Sequence, residues 1–143
     1  MNKIVLISFV LLFACSPNKQ AQMEAAKKQI LATEREFAEF CKKEGRAAGF
    51  FKYSDTNVVI IRDSLIKGKR AMDAFYRARE LKNTTLDWWP DFVDVSSSCD
   101  LGYTYGHFVY SKKDSTGKVT DYKGTFHTIW KKQTDGTWRF VWD

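Results

Sequence analysis

The feature that most constrains this chain is a change of hydrophobic period along its length. From Met23 to Glu44, Ala26, Ile30, Phe37, Phe40 and Cys41 recur at three- and four-residue steps, with Lys, Glu and Arg on the other faces. That is the period of an amphipathic helix. Beyond Thr85 the period shortens to two. Breaks come at Ser98-Cys99-Asp100, at Asp114-Ser115-Thr116-Gly117 and at Asp135-Gly136. Alternation broken by such turns is the pattern of a strand meander. Helices first and strands last bury their apolar surface by laying the helices on one face of the sheet.

The elements between these two regions follow from the same signals. Gly45 closes the first helix, and Arg46 to Tyr53 reads as a second, shorter one. Asn57 to Arg62 is a strand, turned by Asp63-Ser64 into Leu65-Ile66-Lys67. Gly68 breaks the chain, and Lys69 to Leu81 is a third helix striped by Ala71, Met72, Phe75, Tyr76 and Ala78. Four strands complete the domain: Thr85 to Ser96, bent at Pro90 because proline cannot donate to a ladder, then Leu101 to Lys112, Lys118 to Gln133 and Thr137 to Asp143. The expected fold class is α+β, in the order α-α-β-β-α-β-β-β-β, with a strongly curved antiparallel sheet. Helices cannot fill the hollow of such a sheet completely, so the expected shape is a cone with a pocket.

At 143 residues, 44% hydrophobic and 15% aromatic, the chain is long enough for one packed domain and too ring-rich for a disordered tail. Its first residues are set apart from that domain. Lys3 precedes an apolar run from Ile4 to Phe13, broken only by Ser8 and ending in Leu12-Phe13-Ala14-Cys15. The run is shorter than the ~20 residues a bilayer span needs. It has the layout of a signal peptide, and its end resembles a bacterial lipobox, in which a small residue precedes a lipidated cysteine. The expected organisation is a signal peptide over residues 1–14, lipidated Cys15 with a polar tether to residue 22, and a domain over 23–143. Ser16 follows the cysteine, where inner-membrane retention uses aspartate. The resemblance therefore implies delivery to the outer membrane, facing the periplasm, with a membrane contact through the lipid on Cys15.

Removing residues 1–14 leaves 22 basic residues against 17 acids, a net charge of +5. The lysines are spread in pairs, and no run forms a nucleic-acid-binding arm, so no nucleic-acid partner is expected. Cys41 and Cys99 lack C-x-x-C spacing, and His107 and His127 both fall on strands. No metal site is expected from them. Whether the two cysteines pair depends on geometry that spacing does not give.

Three segments carry a resemblance to a known family: Asp100-Leu101-Gly102-Tyr103-Thr104-Tyr105-Gly106, Gly124 to Gln133, and Asp135-Gly136-Thr137-Trp138-Arg139-Phe140-Val141. Glu34 with Glu36-Phe37-Ala38, and Trp88 followed by Pro90, add to it. Together with the order of elements, they resemble the nuclear-transport-factor-two-like, or ketosteroid-isomerase-like, superfamily, in particular its SnoaL-like branch of secreted proteins. The resemblance covers roughly residues 25–143. It implies the cone fold but no single function, because this fold hosts isomerases, cyclases, binding modules and assembly domains.

Isomerase-type chemistry needs a carboxylate base in a cavity facing an acidic donor. Related cyclases place an acid/base aspartate on a late strand, which makes Asp143 the leading catalytic candidate, with His107 and His127 as possible proton carriers. Asp55 and Asp63 read as turn formers; Asp91 and Asp94 complete the carboxylate candidates. Apolar walls with a few polar tips line small-molecule sites, so Tyr53, Trp88, Tyr105, Phe126, Thr128 and Trp130 are the candidate ligand contacts. No nucleophile elbow, phosphate loop or cofactor motif occurs, and no cofactor is expected. Three readings follow: a periplasm-facing lipoprotein binding a small, partly apolar molecule, a cofactor-free SnoaL-like enzyme, or a homodimeric interaction module using the outer sheet face.

Overall fold

Helical periodicity from Met23 onward does produce a helix, but it starts sooner. In the computed structural model, which describes residues 17–79 and 82–143, α1 spans Pro17–Glu44. The expected signal peptide and the expected lipidation site Cys15 lie outside the described residues. Residues 17–22, expected as part of a tether, continue α1. Proline is tolerated at a helix's first position, and Gln22 to Asn18 and Gln20 to Glu24 bonds at 3.1 and 3.3 Å brace that first turn. Gly45 breaks the helix at φ 91°, a region that favours glycine. The chain re-enters a helix at once, with α2 over Arg46–Tyr53.

The remaining elements are β1 (Ser54–Ile61), β2 (Leu65–Lys67), α3 (Lys69–Arg77), β3 (Thr84–Val95), β4 (Leu101–Lys113), β5 (Val119–Lys132) and β6 (Trp138–Trp142). The order is the one the sequence predicts. α3 stops at Arg77 rather than Leu81, because the Ala78 and Arg79 N–H groups bond back to Ala74 and Tyr76 and close a turn.

The strands form one open six-stranded sheet in the order β2-β1-β6-β5-β4-β3. It is mixed rather than antiparallel: β1 runs parallel to β6. No hairpin joins these two strands, so nothing local sets their relative direction.

α1 lies along edge strand β3. Lys27 meets Asp94 at 3.1 Å and Lys42 meets Asp87 at 2.8 Å. Fifteen helical residues rise about 22 Å and seven strand residues about 23 Å, so the two pairs fit an antiparallel helix and strand. Such surface pairs add little stability, and the burial beneath them matters more. On the inner face, glycines of β4 oppose large residues of β5: Gly102 faces Trp130 and Gly106 faces Phe126. A Cβ on Gly102 would come within 2.5 Å of the Ile30 side chain, so this glycine lets the helix approach the sheet.

Glu34 sits in that contact. Ile30, Glu34 and Phe37 follow one another on the same face of α1, and each is at most 1% exposed. Trp88 Nε1 on β3 donates to Glu34 Oε1 at 2.7 Å. Thr104 Oγ1 on β4 and Trp130 Nε1 on β5 donate to Oε2 at 2.6 and 2.9 Å. Burial pushes the carboxyl up to about 7; the three donors pull the other way, and the charge of Asp143 adds to the rise. When Glu34 is neutral, Thr104 can turn its hydroxyl to accept the acid proton, which the indole N–H groups cannot do.

This raised value sets a direction for stability. Glu34 holds its proton in the folded state to about pH 7 but releases it near 4.5 when unfolded. Its contribution is therefore fully present below 4.5 and lost as pH rises through 7, a decline of about 3 kcal/mol. The lowered carboxylates of Asp100, Asp114 and Asp135 act below that window. In Glu34→Gln the amide NH2 meets an indole N–H whichever way it turns, so the variant is less stable at pH 5 by about 1–3 kcal/mol. Urea unfolding of residues 17–143 between pH 4.5 and 8 should show the gap between the two proteins shrinking as pH rises. Parallel curves would remove Glu34 as the titrating group.

Candidate functional site

Beside this contact the sheet and helices leave a cavity of about 480 Å³, open to solvent. Phe50 of α2, Leu86 and Trp88 of β3, Phe108 of β4 and Phe126 of β5 form its apolar wall. Arg46, Arg62, Tyr76 and Asp143 bring polar groups to it. Apolar walls with a few convergent polar groups are the composition of small-molecule sites.

Asp143 reaches the cavity through a register shift. Trp130 pairs with Phe140, but Ile129 pairs with Trp142, so one extra residue is accommodated in β6. Plain alternation would put Asp143 with Arg139 and Val141, opposite the buried Phe140. The bulge reverses that parity, and Asp143 arrives on the inner face, where Thr128 Oγ1 donates to its Oδ2 at 3.3 Å. Its backbone is fixed against β1 by bonds from Ile61 N to Asp143 O at 2.8 Å and from Asp143 N to Val59 O at 3.1 Å.

Arg62, just after β1, donates to Asp143 Oδ1 at 2.5 Å and to the Tyr76 hydroxyl from Nε at 3.1 Å and from a terminal nitrogen. Burial works to lower the Arg62 pKa, but the charge of Asp143 and the hydrogen bonds to Asp143 and Tyr76 outweigh it, and the group is held above its ordinary value. Burial first, then the charge of Asp143, raises the Tyr76 phenol. Tyr76 therefore stays protonated. Its oxygen accepts from Arg62, and its own proton has no acceptor among the described residues.

The candidate residues separate in the structure. Asp143, Trp88 and Phe126 line the cavity. Thr128 is buried behind Asp143. Trp130, 0% exposed and bonded to Glu34, is core rather than cavity wall. Tyr53 is buried against Phe37 and Phe40, away from the cavity. Tyr105 is exposed on the outer face, where it stacks on Phe92 at 5.1 Å.

The histidines do not join Asp143. His107 pairs across the strands with Trp89 and Thr125, and its Nδ1 meets Asp91 at 2.6 Å. His127 alternates with buried Phe126-side neighbours Thr128 and Trp130, and its ring lies 6.1 Å from that of exposed Tyr103. Both side chains stand on the face away from the helices, although His127 is itself among the residues that line the cavity. Strand alternation is the reason: each histidine neighbours inward-facing residues and so points outward. Among the described residues, no three His, Cys, Asp or Glu side chains group as a metal site. No disulfide joins Cys41, buried in α1, to Cys99, in the turn after β3.

Sequence reasoning passes over Arg46, Arg62 and Tyr76, and gives Glu34 no structural part. Glu34 carries a readable signal: the steps from Ile30 to 34, 37 and 41 put a carboxylate on the apolar stripe. Tyr76 falls likewise on the stripe of α3. Arg46 and Arg62 carry no such signal, since each lies at an element boundary.

No protein-family model and no curated protein sequence matches the chain, whereas solved structures do. An NTF2-like protein with a cystatin-like fold from Novosphingobium aromaticivorans superposes with a TM-score of 0.70 at 15% identity, covering 92% of this chain and 88% of its own. An NTF2-like superfamily protein from Salmonella enterica serovar Typhimurium gives 0.67 at 13% identity, covering 83% and 88%. The association domain of CaMKII from C. elegans gives 0.65 at 14% identity, covering 84% and 94%. With the element order, the sheet and the cavity between sheet and helices, these superpositions establish that the chain has the NTF2-like fold, as its strand motifs imply.

Proposed function

We propose that this chain is a lipid-anchored protein of the cell envelope, facing the periplasm, whose domain binds a small, partly apolar molecule. The observation that carries the binding reading is the cavity of about 480 Å³, apolar in its walls and polar where Arg62, Tyr76 and Asp143 meet. The competing reading is cofactor-free proton transfer of the SnoaL-like type through Asp143. Binding is favoured because Arg62 engages one oxygen of that carboxylate and Thr128 the other.

The exposed outer face supports a second role. Trp89, Phe92, Leu101, Tyr103 and Tyr105 are each between 38% and 46% exposed. Isolated exposed rings are ordinary, but neighbouring ones on a single sheet face mark an interaction surface, and a second copy of the chain is the partner proposed. One of the superposed structures is itself an association domain.

The anchor reading rests on Leu12-Phe13-Ala14-Cys15 at the end of the apolar run. No described helix is long and apolar enough to cross a membrane.

Native mass spectrometry of residues 17–143, purified without detergent, tests both uses of the domain. One small molecule per chain is expected, and a clean apo mass would count against a tightly held ligand. A dimer mass that reverts to monomer in Tyr105→Glu would support the outer-face partner, and a monomer in the unaltered chain would remove it. Metabolic labelling of expressing bacteria with radioactive palmitate should mark the full chain and not Cys15→Ala. Absence of label from the unaltered chain would overturn the anchor.

A further inference from the structure

Among the described residues, the charged side chains lining the cavity do not all form ion pairs. Arg46, Arg62 and Asp143 carry charge into its lining. Arg62 and Asp143 neutralise one another. Glu34 lies behind Trp88 with both oxygens bonded, and His127 turns its ring to the outer face. Arg46 is left over.

Arg46, the first residue of α2, has no carboxylate within ion-pair distance among the described residues. Among the described residues its guanidinium makes one bond, to the Arg79 carbonyl at 3.0 Å. It lies 5.3 Å from the ring centre of Tyr110 and 6.0 Å from that of Tyr76, and both rings line the cavity. Contact with the two ring faces favours the cation there but uses none of its N–H groups. A guanidinium offers five N–H donors in a planar fork suited to carboxylate, and most of these remain unspent. The Tyr76 hydroxyl proton is a further donor on the same lining.

We propose that the cavity takes an amphipathic organic acid, with its carboxylate on Arg46 beside Tyr76 and its apolar body against Trp88, Phe108 and Phe126. This rests on the binding reading of the cavity and adds the charge of the ligand to it. A neutral molecule would leave the fork of this half-buried guanidinium to water, beside an apolar wall. An anion of one charge would cancel it and meet a bidentate partner.

Isothermal titration calorimetry on residues 17–143 tests this with two matched pairs, 2-naphthoate against 2-naphthol and decanoate against decanol. Among the described residues the core lies between Ala26 and Phe140, so this part holds that core and the cavity. Each acid is expected to bind about tenfold tighter than its alcohol. Arg46→Gln should remove that preference and leave the alcohols unchanged, while Arg46→Lys should retain part of it. A purely structural role for Arg46 would weaken acid and alcohol alike. Should Arg46→Gln fail to fold, added salt provides the second reading: it should weaken the acids and spare the alcohols. Equal binding of acid and alcohol, or a preference that survives in Arg46→Gln, overturns the inference and leaves the binding reading standing. Failure of all four compounds to bind overturns both.

Discussion

Glu34 ties the two layers of this domain together. Its carboxyl receives donors from three neighbouring strands, through Trp88 of β3, Thr104 of β4 and Trp130 of β5. A buried carboxyl without donors is strongly unfavourable, and one with a full set can be satisfied only when helix and strands are correctly placed. Rotating α1, or slipping β4 against β5 by one residue, would turn Thr104 or the indoles to the other face. Apolar packing of Ile30, Phe37 and Trp130 supplies attraction without direction. The carboxyl supplies direction, by rejecting arrangements that leave it unpaired.

The cavity inherits its geometry from that contact. The bond to Glu34 orients Trp88, which is also part of the cavity wall. Gly102 lets α1 close on the sheet at one end. At the cavity, Phe50 and Tyr76 pack together with ring centres 4.3 Å apart, so α2 and α3 cover the sheet as a unit. The polar groups arrive from the ends of elements: Arg46 from the start of α2, Arg62 from just after β1, Asp143 from just after β6. Such positions can change without disturbing a ladder or a helix stripe, which is one physical reason a single fold can host many functions.

The bulges in β3 and β6 determine which side chains belong to the cavity. In β3 an extra residue near Pro90 and Asp91 sends Phe92 to the outer face beside Tyr105. Pro90 lies on the edge strand, where its missing N–H leaves no ladder bond unmade. Gly106 stands opposite, and a Cβ there would come within 2.1 Å of the Trp89 carbonyl. In β6 the extra residue brings Asp143 inward to meet Arg62 and Thr128. A one-residue change of parity therefore decides the chemistry on offer.

The sequence by itself determined the order of elements, their approximate ends and the fold. Periods of 3.6 and 2 and turn residues such as Gly45 and Asp135-Gly136 are local signals, written within a few residues of where they act. It also identified Asp143, Trp88 and Phe126 as candidates, and the structure puts all three on the cavity. Only the tertiary structure decided that His107 and His127 face away from Asp143, that Trp130 is core, that β1 runs parallel to β6, and that Arg46 stands without a counter-charge among the described residues. These facts depend on strand register, on bulges and on contacts between residues far apart in the chain. Glu34 and Trp130, bonded across 96 positions, show the limit most clearly: a local pattern carries no information about which distant donor will fill a buried acceptor.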